Sequence, residues 1–382
     1  MLFNFILSVS LLCPSVLAAP GVAPFSTFSK VTVFTPPSTY TDPRVLYART
    51  VELADGVLLA TWENYSPEPP LVYFPIYRSI DGGASWKEIS RVKDTVNNWG
   101  MRYQPHLYVL SKAIGKFKPG TIICSGNSIP TNLNATKIDV YASEDSGYTW
   151  KFVSHVATGG AAIPDNGIPA VWEPFILEFE DNIVLYYSDQ RDPKHGQKLV
   201  HTVSKDLLKW DPIVEDVSYS TYTARPGMTT IIQLPNKKYM MTYEYGGGPT
   251  KTGTSYSFPV YYRINNSPLK FNSSFGYPII SSDGIQPNGS PTITYSSVGG
   301  INGTIIVSSG SNSQVFVNRA LGDVGAWKTV TTPESNAYTR HVRVLKDQNH
   351  LLVMGAGKLP PSTTNKVTVS VIDLQKGLAA AT

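Results

Sequence analysis

The sequence predicts an all-β fold, a six-bladed β-propeller, on the strength of two independent repeats. The first is a pair of near-copies, S-I-D-G-G-A-S-W (Ser79 to Trp86) and S-E-D-S-G-Y-T-W (Ser143 to Trp150). Each reads Ser-x-Asp-x-Gly-x-Ser/Thr-Trp, a tight hairpin closed by Asp and Gly with Trp starting the next strand. Decayed copies follow at Trp210, Phe271 and Trp327, a period of roughly 60 residues. The second repeat is a short strand, a turn and a strongly apolar strand. Its turns fall at Gly56, Gly120, Asn182, Lys237, Gly303 and Asn349. The strands after them, such as V-L-L-A-T-W and T-I-I-C-S-G, are short, bulky and uninterrupted, as expected of strands buried on both faces. No stretch keeps a helical period. Units this small cannot bury their own faces, so they stack as blades around a ring.

Taken in chain order, the first 18 residues carry no charged side chain and include the apolar run Leu2 to Leu12. Val16 and Ala18 fit the small-residue rule for cleavage, so residues 1–18 read as a signal peptide and 19–382 as one propeller domain. The run is too short to span a bilayer and is broken by Pro14. No other segment approaches about 18 apolar residues, so a secreted protein without membrane contact is expected. Cys13 would leave with the signal, and Cys124 would remain without a disulfide partner. Six N-x-S/T sequons, at Asn64, Asn134, Asn265, Asn272, Asn288 and Asn302, suit a glycosylated secreted chain. The strand near Ser29 to Phe34 should close the ring against Val367 to Asp373.

Composition narrows the function classes. Hydrophobic residues make up 42% and charged residues 16% of the chain, which excludes disorder. A net charge of +4 with no Lys/Arg run gives a nucleic-acid partner little support. The His and acidic residues are scattered without H-x-x-x-H or C-x-x-C spacing, so neither a metal nor another cofactor is expected.

In a propeller, the starts of the inner strands and the ends of the second strands ring one mouth of the central channel. The inner-strand column reads Arg49, Gln104, Glu173, Arg225, Ser290, Arg340. Counting on from each turn gives the second column: Glu63, Asn127, Asp189, Glu244, Gly310, Ala356. So many charges converging are costly unless they serve one another or a ligand. Asp81 and Asp145, between third and fourth strands, belong to the opposite face and read as structural.

Glu173 and Glu244 fall in adjacent blades, one per column, and paired carboxyls are the equipment of a glycosidase. Glu63 and Asp189 are the next candidates, although the sequon at Asn64 implies exposure beside Glu63. Trp172, Tyr243, Tyr245 and Tyr338 can offer flat faces to sugar rings, core packing being the commoner fate of an aromatic. Cations sharing Glu173's column would keep it ionised, as a nucleophile needs. A less polar setting between tyrosines would raise the pKa of Glu244, as an acid/base needs. The reverse order stays open.

The Asp hairpins and the segments W-E-P-F, R-P-G-M, Y-E-Y-G-G and Y-T-R-H-V together resemble fungal exo-arabinanases of glycoside hydrolase family 93, sialidase-like six-bladed propellers. The resemblance covers essentially the whole mature chain. It implies exo cleavage of α-1,5-linked L-arabinan, releasing arabinobiose with retention of configuration, through Glu173 and Glu244. Tyr338 matches an active-site tyrosine of that family. The implied partner is a polysaccharide or its oligosaccharides, bound by a monomer. Two rivals stand beside it. Three arginines could clamp the carboxylate of a sialic acid, and ring folds also serve as non-catalytic carbohydrate-binding platforms.

Overall fold

The computed structural model describes residues 25–251, 253 and 255–381. The leader expected over residues 1–18 lies outside the described residues. Six four-stranded antiparallel sheets follow one another along the chain. The inner strands are Val45–Glu52, Gly100–Val109, Val171–Phe179, Arg225–Gln233, Thr292–Ser296 and His341–Val344. Each touches the inner strand of the next blade, and the sixth meets the first, so the ring closes. Strand Phe28–Phe34 completes the last blade by pairing with Val367–Asp373, the closure the sequence predicts. The short helix Leu374–Ala379 ends the domain, and among the described residues no helix is long and apolar enough to cross a membrane.

The apolar second strands are buried on both faces because each blade is sandwiched between two others. Side chains alternate along a strand, so Leu58 packs toward blade 6 and Leu59 toward blade 2. Likewise Met241 faces blade 3 and Met240 faces blade 5. The core is thereby divided into six seams, one between each pair of blades.

The Asp hairpins lock the far ends of the blades. Asp81 Oδ1 accepts the Ser85 N–H at 2.9 Å, and the Trp86 indole N–H donates to the Gly83 carbonyl at 2.8 Å. Asp145, Thr149, Trp150 and Gly147 repeat the pattern. The decayed copies keep the packing: Phe271 and Trp327 are fully buried.

The mouth opposite these hairpins owes its shape to a bulge repeated near the start of the first four inner strands. In each, two residues of the inner strand face one of its partner: Tyr47-Ala48, Gln104-Pro105, Glu173-Pro174 and Met228-Thr229. The first residue of every pair is left-handed, with φ of 57°, 60°, 62° and 59°, and Ser290 in blade 5 has φ 41°. Such a conformation costs a non-glycine residue about 1–2 kcal/mol. A bulge re-aims the chain, and here it turns the N–H groups of Gln104 and Met228 toward carboxyls of the preceding blade, that of Glu173 toward the Gln104 amide and that of Tyr47 toward the Tyr338 carbonyl.

Candidate active site

A cleft of about 670 Å³ opens at this mouth, lined by Glu63, Tyr65, Tyr103, Gln104, Trp172, Glu173, Arg225, Glu244, Phe258, Ser290 and Tyr338 among others. Its floor is the small cluster of Leu46, Tyr47 and Met228, with Tyr65 and Tyr338 packed on it.

Three carboxyls stand in the cleft, and each accepts the N–H of a left-handed residue. Glu63 Oε1 accepts from Gln104 N at 2.9 Å, Glu173 Oε2 from Met228 N at 2.7 Å, and Glu244 Oε2 from Ser290 N at 2.7 Å. Glu63 is further held by the Tyr65 hydroxyl at 2.8 Å and Glu173 by the Ser188 hydroxyl at 2.6 Å. Gln104 ties two blades together, its Oε1 accepting from Asn127 Nδ2 at 2.8 Å and from Glu173 N at 3.0 Å.

Glu173 and Glu244 flank Gly227. A Cβ built there would lie 3.3 Å from Glu173 Oε2 and 3.4 Å from Glu244 Oε1, so these oxygens are separated by no more than about 7 Å, within the span of glycosidase carboxyl pairs. Burial raises both pKa values, but the opposing forces differ. For Glu173 the Ser188 hydroxyl, the Met228 N–H and the Arg225 and Arg49 charges pull it back down. For Glu244 the negative charge of Glu173 adds to burial, and only the Ser290 N–H and Arg225 oppose them, leaving it at about 8. Glu173 thus has more donors and cations holding its charged form than Glu244 has. Glu63 is raised to about 7, by burial above all.

The structure redistributes the other predicted residues. Gln104, Trp172, Arg225 and Tyr338 line the cleft. Arg225 makes no direct ion pair among the described residues and is held by amides, donating to Asn166 Oδ1 at 2.7 Å, Gln197 Oε1 at 2.8 Å and Gln190 Oε1 at 2.9 Å, while its charge acts on Glu173 and Glu244. Arg49 lies beneath the floor instead, its guanidinium 4.0 Å from the Tyr47 ring centre and donating to the Ala48 carbonyl and Thr339 Oγ1. Its strand carries the left-handed residue two positions earlier. Arg340 is fully buried and donates to the carbonyls of Ser313, Gln314 and Glu334, joining blades 5 and 6. It does not reach the cleft.

Asp189 misses the cleft by one residue. The turn of blade 3 bends at Glu180, with φ 53°, earlier than the Asn182 expected. Ser188 consequently takes the position equivalent to Glu244, and Asp189 is gripped by Arg191 at 2.8 Å through both carboxylate oxygens. Tyr243 and Tyr245 neighbour Glu244 in sequence and so, by the strand's alternation, face the other way. Both pack in the seam against blade 3, Tyr243 bonded to the Tyr219 hydroxyl at 2.8 Å and Tyr245 stacked on the Tyr219 ring at 3.8 Å. Neither offers a face to the cleft, and burial with the Glu173 charge, rather than flanking tyrosines, raises Glu244. Asn64 is buried rather than exposed, so the sequon does not set Glu63 apart from the site.

Among the described residues, one group of potential metal ligands comes together, Asp192, His195 and Glu215. The Lys198 ammonium already bridges its two carboxylates, at 2.7 and 2.6 Å.

No protein-family model and no curated protein sequence matches the chain. Solved structures do. An α-L-arabinofuranosidase of Fusarium graminearum, described as a family GH93 enzyme and solved with arabinobiose, is 54% identical over 92% of this chain and 99% of its own, with a TM-score of 0.91. The chain belongs to glycoside hydrolase family 93. A Penicillium chrysogenum α-L-arabinanase complexed with arabinobiose is 51% identical over 92% of this chain and 99% of its own, with a TM-score of 0.90. A sialidase of Streptococcus pneumoniae, 13% identical with a TM-score of 0.59, shares the fold alone. The arginines that favoured a sialidase reading do not converge: of the three, only Arg225 lines the cleft of this family-93 hydrolase.

Proposed function

We propose that this glycoside hydrolase is secreted and cleaves α-1,5-linked L-arabinan from a chain end, releasing arabinobiose with retention of configuration. The observation that carries the reading is the carboxyl pair flanking Gly227, in a chain more than half identical to enzymes solved with arabinobiose.

Glu173 is the nucleophile and Glu244 the acid/base. With the terminal disaccharide in the cleft, Glu173 attacks the anomeric carbon while Glu244 gives its proton to the departing glycosidic oxygen. The bond to the leaving chain breaks as the ester bond to Glu173 forms. That ester is neutral, so the repulsion that raised Glu244's pKa disappears and Glu244 becomes a stronger acid. Its carboxylate then takes a proton from water, which attacks the same carbon, releases arabinobiose and restores both carboxyls. The Met228 and Ser290 N–H groups hold the two carboxyls in place throughout.

Azide tests the assignment. Glu244→Ala should keep activity on an activated aryl arabinobioside, whose leaving group needs no proton, and azide should yield a retained glycosyl azide. Glu173→Ala should form no covalent intermediate and give an inverted azide. The opposite pattern would exchange the roles, and full activity in both variants would remove the site.

A further inference from the structure

The proposed roles of the two carboxyls give the cleft a direction. Glu244 protonates the departing oxygen, so the remainder of the chain must leave past Glu244 and away from Glu63, three blades round the ring. On that side the cleft wall is Phe258, which follows Glu244's strand in the connection to Val260–Asn265. Phe258 meets Tyr256 edge to face at 5.5 Å and 82°. Tyr256 is 53% exposed, and its hydroxyl is pinned to the Thr223 carbonyl at 3.1 Å. One residue before Thr223 stands Tyr222, 43% exposed, with its carbonyl accepting the Gly196 N–H at 2.8 Å. Both loops lie at the mouth that carries the cleft.

Tyrosines this exposed gain little from folding, while their rings suit the apolar faces of pentose rings. Tyr256 joins directly onto a cleft wall that is itself aromatic, and Tyr222 adjoins the Thr223 carbonyl that holds the Tyr256 hydroxyl. Resting on the arabinanase reading above, we propose that Phe258, Tyr256 and Tyr222 form a track for the leaving-group side of the arabinan chain, with Tyr256 and Tyr222 binding successive arabinofuranosyl units beyond the scissile bond. The occupant is the continuation of the chain already in the cleft, because the track begins at the cleft wall and lies on the side of the proton donor. It gives the enzyme a preference for long chains over short ones without any change at the carboxyls.

The test is the dependence of kcat/KM on chain length. Linear α-1,5-arabino-oligosaccharides of increasing length are compared with an aryl arabinobioside, whose leaving group is too short to reach the tyrosines. In the native enzyme kcat/KM should rise with each unit added beyond the scissile bond. In the Tyr222→Ala/Tyr256→Ala double variant the ratio of long-oligosaccharide to aryl-substrate kcat/KM should fall about tenfold. A Tyr222→Trp/Tyr256→Trp variant should keep the length dependence, which separates a lost ring from a misfolded loop. An unchanged ratio in the alanine variant, or a lost length dependence in the tryptophan variant, overturns the track. A native enzyme inactive on both substrates would instead remove the arabinanase reading, and the track with it.

Discussion

Gly227 offers the sharpest perturbation of the carboxyl pair without touching either carboxyl. An alanine methyl there would stand 3.3 Å from Glu173 Oε2, 3.4 Å from Glu244 Oε1 and 2.9 Å from Gln197 Nε2. These neighbours are the ends of flexible side chains, and the Gly227 backbone is not left-handed. The fold should therefore tolerate the change, and removal of a glycine's freedom in the unfolded chain slightly favours the native state. Catalysis should not tolerate it. The methyl would sit about as far from the Glu173 carboxylate as a reacting carbon does in a near-attack geometry, about 3–3.5 Å, and a displacement of about 1 Å costs roughly 100-fold. Gly227→Ala should accordingly lower kcat/KM for arabinobiose release by about 100-fold, or about 2.7 kcal/mol of transition-state stabilisation, with Tm unchanged or slightly raised. The assay pairs initial rates on linear arabinan with a thermal melt. Activity within about threefold of the native enzyme would show that the substrate does not occupy the space between the two carboxyls.

Three further outcomes follow from the same geometry. The alkaline limb of kcat/KM should track loss of the Glu244 proton near pH 8; in Glu173→Gln the neighbouring charge is gone, so direct titration should find the Glu244 pKa lowered, and an unmoved pKa would contradict the coupling. Stability should fall as pH rises from 5 to 8: Glu63 and Glu244, raised to about 7 and about 8, favour the protonated native state below their unfolded pKa values and lose that contribution as pH passes their folded ones, so a Tm rising over this interval in the native enzyme but not in a Glu63→Gln/Glu244→Gln variant would contradict the sign. Arg340→Ala should act on stability rather than substrate binding, because three carbonyls of blades 5 and 6 lose their donor at about 1–3 kcal/mol each; a raised KM with unchanged Tm would return Arg340 to the substrate.

The blade count was legible because it rests on two signals that physics enforces in every unit, the hairpin and the doubly buried strand. Glu173 and Gln104 were found because the left-handed residue of their bulges immediately precedes a proline, a mark visible in sequence. The same mark misled in blade 4, where Arg225 precedes Pro226 but the left-handed residue is Met228. It is absent in blade 1, where the pattern points to Arg49 but the left-handed residue is Tyr47. A bulge shifts the register by one residue without changing composition, so no count along the chain reveals it. Asp189 was lost to a similar one-residue slip. Tyr243 and Tyr245 illustrate the opposite case: the two-residue period of Tyr239–Gly246 already fixed them on the face away from Glu244. Gly227 and Ser188 were invisible because their importance lies in what stands beside them across the bulge.

The central claim, double displacement through Glu173 and Glu244, is tested most directly by the anomeric configuration of the first-formed product. Proton NMR of linear arabinan in the first seconds after enzyme addition should show α-arabinobiose appearing before its β anomer, which accumulates only by mutarotation. Arabinobiose released first as the β anomer would mean direct displacement by water and would contradict a covalent intermediate on Glu173.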